Sequence, residues 1–164
     1  MQSALTGHMV LSTVHTNDAP ATISRLLDMG AEDYLLTSTV NGVLAQRLVR
    51  TLCKTCREPY TALPEVVEQM GLRRFAGTGP VTLYKPVGCA QCSGTGFHGR
   101  VALYEVMTVQ GKLRRLIESG STEEIFAEAV ATGMKTLRQD GMRLCLAGIS
   151  SLDEVRRVTG DRLT

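Results

Sequence analysis

Two C-x-x-C pairs govern what this chain can fold into. Cys53 and Cys56 in C-K-T-C, and Cys89 and Cys92 in C-A-Q-C, are separated by 32 residues that read as folded protein. Each pair puts two sulfurs on one tight turn, so two turns supply the corners of a tetrahedron around one structural Zn²⁺, with Zn–S distances of about 2.3 Å. Redox use is the main rival and an iron centre a further one. A thioredoxin-like pair follows a strand and opens a helix, whereas Cys53 and Cys56 follow a segment of helical periodicity, and a second pair is present. The fifth cysteine, Cys145, lies between Leu144 and Leu146 and reads as a buried, inert thiol. This spacing fits a reducing cytoplasm better than a secreted disulfide framework.

With 164 residues, 43% of them apolar, the chain can form one ordinary domain or two small ones if a metal relieves the need for a large core. Aromatic residues are only 4%, so the core relies on aliphatic side chains and Met. The formal charge of +2 falls to about zero once four thiolates hold one Zn²⁺. Arginine pairs such as Arg73/Arg74, Arg114/Arg115 and Arg156/Arg157 lie among acids, which suits solvated helix faces or a protein interface rather than a nucleic-acid stripe. No apolar run is long enough to span a membrane, and the first residues, without a basic region followed by an apolar one, do not lead one to expect a signal peptide.

The apolar run Met9, Val10, Leu11, Val14 predicts a strand of a larger α/β sheet, with too little chain before it to supply its partners. Capping residues Thr16 to Asp18 and Pro20 predict a helix ending near Gly30. Leu36, Val40, Val43, Leu44 and Leu48 predict a longer second helix from Asp33 to Cys53. Between the cysteine pairs, a short helix over Leu63 to Met70 and a strand over Val81 to Tyr84 are expected, fixed at their ends by the metal. V-A-L-Y-E-V-M after Gly99 alternates as a strand. Helices follow, one carrying Leu113, Leu116 and Ile117, one opened by a Ser121/Glu124 capping box, one over Leu137 to Ala147, and a last one opened by Ser151 and Glu154. The expected divisions are 1–50, 51–100 and 101–164.

G-T-G-F-H-G, with Gly94, Gly96 and Gly99, matches a dinucleotide-binding expression, but a cysteine turn precedes it and a strand-like run follows, so these glycines turn the backbone around the sulfurs instead. C-A-Q-C-S-G-T-G also resembles one zinc repeat of the Hsp40 co-chaperones, a family that uses several such repeats. Four thiolates complete a tetrahedral set without His98. His8 and His15 flank the first expected strand, and His15, at the end where ligands gather in α/β sheets, is the better candidate for contact with phosphate, against a structural imidazole. No G-x-x-x-x-G-K-[ST] loop occurs, so the chain has no evident phosphate cradle.

L-T-G-H-M-V-L-S-T-V-H-T-N-D-A (Leu5 to Ala19) and A-Q-R-L-V-R-T-L-C-K-T-C (Ala45 to Cys56) closely resemble the ATPases of type II secretion and type IV pilus assembly. So do G-C-A-Q-C-S-G-T-G-F-H-G-R-V-A-L-Y-E-V-M (Gly88 to Met107), T-L-R-Q-D-G-M (Thr136 to Met142) and S-S-L-D-E-V-R-R-V-T (Ser150 to Thr159). The resemblance implies an α/β fold: the C-terminal portion of a RecA-like P-loop ATPase core, with a small zinc-stapled module and a C-terminal helical region. It implies a hexamer on the cytoplasmic side of the bacterial inner membrane, engaging membrane partner proteins, with ATP and Mg²⁺ bound only by the full-length parent. His15 matches the histidine of the family's His box, near the nucleotide phosphates. Cys53, Cys56, Cys89 and Cys92 match the metal ligands of the branch with a tetracysteine segment, which pilus-retraction relatives lack. The family's Walker A loop, acidic boxes and N-terminal domain are expected before Leu5, so the chain reads as an inactive fragment. The alternative is a freestanding zinc-ribbon module binding nucleic acid or protein, which would show a concentrated basic face where this chain disperses its arginines among acids.

Overall fold

The computed structural model describes residues 1–160. In chain order the elements are α1 (Gln2–Leu5), α2 (Pro20–Asp28), α3 (Asp33–Thr39), β1 (Gly42–Leu52), β2 (Glu58–Thr61), α4 (Pro64–Gln69), α5 (Arg73–Ala76), β3 (Thr82–Lys85), β4 (Phe97–Thr108), α6 (Gly111–Ser119), α7 (Thr122–Ala131), α8 (Leu137–Leu146) and α9 (Leu152–Thr159). The fold is mixed α/β, with β1 paired to β4 and β2 paired to β3. The described residues form two compact units, one from Met1–Gln46 with Tyr104–Thr136, the other from Arg47–Leu103 with residues 137–160.

In the first unit the apolar stripes of α2, α3, α6 and α7 meet over Ile23, Leu36, Met107, Val109, Leu113, Ile117, Ile125 and Ala129. Helix α7 starts where both halves of its capping box form: Ser121 Oγ accepts from Glu124 N, and Glu124 Oε2 from Ser121 N. In the second unit β2 and β3 run antiparallel, with Glu58 opposite Lys85 and Tyr60 opposite Leu83. Helices α8 and α9 pack on each other and on β3, and Leu52, Val67, Leu72, Leu83, Met142 and Val155 are buried.

Two expectations are corrected. Residues 9–14 form no strand: Met9 is 92% and Leu11 87% exposed. A strand exists only where a neighbour takes its backbone groups, and neither sheet among the described residues includes this segment. The long second helix stops at Thr39, and residues 42–52 are strand. The hydroxyls of Thr37, Ser38 and Thr39 bond back to the carbonyls of Tyr34 and Leu35, which weakens helix continuation. Arg114 donates to the carbonyls of Thr37, Val40 and Val109, closing the helix end with a cation.

Candidate functional site

Strand β1 delivers Cys53, and the turn after it brings the Cys56 and Arg57 amides back to Cys53 O at 3.3 and 3.0 Å. Cys89 precedes a single 3₁₀ turn, Ala90–Cys92. The two knuckles are tied directly, Cys53 N donating to Gly96 O at 2.9 Å, and Thr55 Oγ1 to Gln91 Oε1 at 2.5 Å. Gly96 has φ +75°, and a Cβ there would lie 2.5 Å from Pro86 Cβ, so only glycine fits behind the second knuckle. The sequence argument that Cys53 follows a helix does not hold, since it follows a strand; but no helix opens at Cys53, so the thioredoxin arrangement is still not met.

All four sulfurs lie within 4.8 Å of one another. Cys53–Cys89 and Cys56–Cys92 are 3.8 Å apart and Cys89–Cys92 3.7 Å. A tetrahedron with metal–sulfur bonds of about 2.3 Å has edges of about 3.8 Å, whereas a disulfide needs about 2.05 Å. The donor set therefore fits one tetrahedral metal ion. Backbone amides point at the sulfurs: Gly88 N to Cys56 Sγ at 3.3 Å, and Cys89 N and Gly96 N to Cys92 Sγ at 3.1 and 3.2 Å. For Cys92, burial opposes ionisation, but these two amides and the neighbouring thiols outweigh it and bring the pKa down to about 6. The Cys53 thiol is also lowered, by the Thr55 backbone foremost. Burial pushes Cys56 up to about 11, the cost that a bound cation offsets when it takes the thiolate.

The remaining candidates fall elsewhere. His98 is exposed on β4 and does not join the metal set, which is cysteine only. Cys145 is buried and its thiol is pushed up to about 12, by burial foremost and then by the charge of Asp153. His8 is exposed, its Nδ1 2.9 Å from Thr6 Oγ1. His15 belongs to the first unit and its imidazole is exposed, at the edge of a turn in which Thr16 Oγ1 donates to Asp18 O at 3.0 Å and Asp18 Oδ1 accepts from Ala21 N at 2.8 Å. The sequence reading passed over Glu105. Its carboxylate is buried and accepts from Ala19 N at 2.7 Å, and its only sequence signal is an acid on the core-facing phase of an alternating strand. Among the described residues no helix is long and apolar enough to cross a membrane.

The family model for Type II/IV secretion system proteins matches residues 1–157. The type II secretion system protein E of Xanthomonas campestris pv. campestris is 48% identical over 162 residues, covering 98% of this chain and 28% of that protein. The corresponding protein of Dickeya dadantii is 46% identical over 159 residues, covering 97% and 31%. The type IV pilus assembly ATPase PilB of Myxococcus xanthus is 46% identical over 161 residues, covering 94% and 28%. The chain thus spans between 28% and 31% of the length of these relatives. A match over nearly all of its residues, running through both cysteine knuckles and the His15 turn, makes this chain a member of the Type II/IV secretion system protein family.

Proposed function

We propose that this chain is the C-terminal, zinc-stapled part of a RecA-like ATPase that drives type II protein secretion or type IV pilus assembly. It works within a hexamer on the cytoplasmic side of the inner membrane and engages membrane partner proteins there; nucleic acid is not a partner. The observation that carries this reading is the family match over residues 1–157, shared with relatives named for both systems.

Cys53, Cys56, Cys89 and Cys92 hold Zn²⁺, whose role is to crosslink two distant turns rather than to act on a substrate. Binding of ATP and Mg²⁺ calls for backbone amides around the phosphates, a Lys and a metal-binding hydroxyl, and the chain contains no loop of that kind. Those groups come from the rest of the longer polypeptide, a division consistent with the chain's share of its relatives' length. His15 contributes from the edge of its turn, orienting or sensing a phosphate that other residues hold.

Steady-state phosphate release tests this. The chain alone is expected to match a mock preparation, while a polypeptide extended through the complete core turns over once it forms a ring. His15→Ala in the extended protein should lower turnover far more than stability. Robust turnover by the chain alone overturns the division of labour, and unchanged turnover in His15→Ala returns His15 to a structural role.

A further inference from the structure

Along β4, Leu103, Glu105 and Met107 are buried while Tyr104, Val106 and Thr108 are exposed. An acid in the buried phase needs hydrogen bonds to replace its lost hydration. Glu105 Oε1 takes one from the amide of Ala19, itself fully buried, across 86 residues of chain. Helix α2 does not need this contact in order to start. Its first residue, Pro20, has no N–H, and Asp18 Oδ1 already accepts from Ala21 N as a local cap. Glu105 is thus a second, long-range anchor that fastens the turn before the helix to a strand of the core. The same turn is braced by Thr16 Oγ1, which lies 2.9 Å from Thr22 Oγ1 and donates to Asp18 O. His15 is the residue just before Thr16, and on its other side residues 8–14 form neither helix nor strand. On the Thr16–Ala19 side, then, His15 is joined to the core through this braced turn.

We infer that Glu105 is a positioning residue for His15, holding the Ala19 amide so that the imidazole stands at one fixed edge of the turn. This rests on the reading of His15 as a phosphate-facing group. Glu105 itself does not meet phosphate: its carboxylate is buried and turned to the Ala19 amide, whereas the His15 imidazole is exposed.

Three variants test the inference. Glu105→Ala removes the acceptor; Glu105→Gln keeps an acceptor oxygen but loses the charge; Ile125→Val, in the core of the same unit, controls for general loss of stability. In this chain, amide exchange at Ala19 and the proton resonances of the His15 ring are followed by NMR. Glu105→Ala should speed exchange at Ala19 by about tenfold beyond the change at Val109 and should shift and sharpen the His15 resonances. Glu105→Gln should do so less, and Ile125→Val should alter neither selectively. Unchanged Ala19 exchange and His15 resonances in folded Glu105→Ala overturn the inference, as do unchanged values in Glu105→Gln should the alanine variant not fold. In the ring-forming polypeptide, Glu105→Ala should lower kcat about tenfold with little change in KM and should add nothing to His15→Ala. Additive losses, or losses matched by Ile125→Val, overturn it. If His15→Ala leaves kcat unchanged, the phosphate-facing reading of His15 fails, and the NMR readouts on this chain still decide whether Glu105 sets its place.

Discussion

Glu154 is an acid only 1% exposed at its side chain that stays ionised because two arginines converge on it. Burial pushes its pKa up, but Arg157 at 2.8 and 3.0 Å, and Arg50 through guanidinium at 2.7 Å and amide at 3.0 Å, bring it down to about 2. The Arg50 guanidinium also lies 4.1 Å from the centroid of the Phe97 ring. With the folded value below the ordinary 4.5, the stabilisation is complete above 4.5 and is lost as pH falls from there through about 2. At neutral pH it is worth on the order of 2 kcal/mol. Glu154→Gln should lower stability by about that amount, and its urea midpoint should fall less than the parent's between about pH 6 and about pH 3. Equal acid sensitivity in both proteins would place the titrating group elsewhere. The spacing of Ser151 and Glu154 announces a capping box, and half of it forms, Glu154 N donating to Ser151 Oγ at 3.3 Å. The carboxylate instead goes to Arg50, 104 residues away. Local spacing makes a cap legible; it carries no signal for a partner at that separation.

Among the elements, those specified by neighbours in sequence were legible and those specified by partners were not. Although residues 97–100, expected as a turn around Gly99, are already part of β4, the helix after Thr122, the strand over residues 101–107 and the two knuckles follow from caps, alternation and cysteine spacing. Residues 42–52 did not, because leucines and valines at helical spacing there also place Val43, Ala45, Arg47 and Val49 on one face of a strand, and pairing with β4 decides between the two. Close approach of elements is equally hidden: Gly141 in α8 lies where a Cβ would collide with the Val155 side chain of α9. Gly141→Ala gains about 1 kcal/mol of helix propensity against an overpacking cost of about 1–3 kcal/mol. The net expectation is a loss, read as a lower Tm, which Val155→Ala in the double variant partly recovers. An undiminished Tm in Gly141→Ala alone would show that α9 can move aside freely.

At the scale of the molecule, the tail helices belong with the cysteine segment. Leu52 N donates to Ile149 O at 2.8 Å, Ser150 Oγ to Arg50 O at 2.9 Å, and Arg57 Nη1 to Gly148 O, so strand β1, the first knuckle and the α8–α9 junction share one set of bonds. Protein purified without chelator should contain about one equivalent of zinc. Chelation or Cys89→Ser should raise amide exchange across residues 53–99 and through α8 and α9, while α6 and α7, in the other unit, keep most of their protection. Loss of protection in α6 and α7 equal to that in α8 and α9 would show that the two units unfold as one. The knuckles carry a further consequence, for variation in length. The 32 residues between the cysteine pairs are held at both ends by sulfur, and their turn at residues 77–80 is exposed throughout. Closure entropy grows only with the logarithm of length, so doubling that span costs about 0.6 kcal/mol. Insertions at this exposed turn therefore cost little in closure entropy, and what they disturb locally is the pair of bonds from Arg73 Nη1 to Gly77 O and Gly79 O.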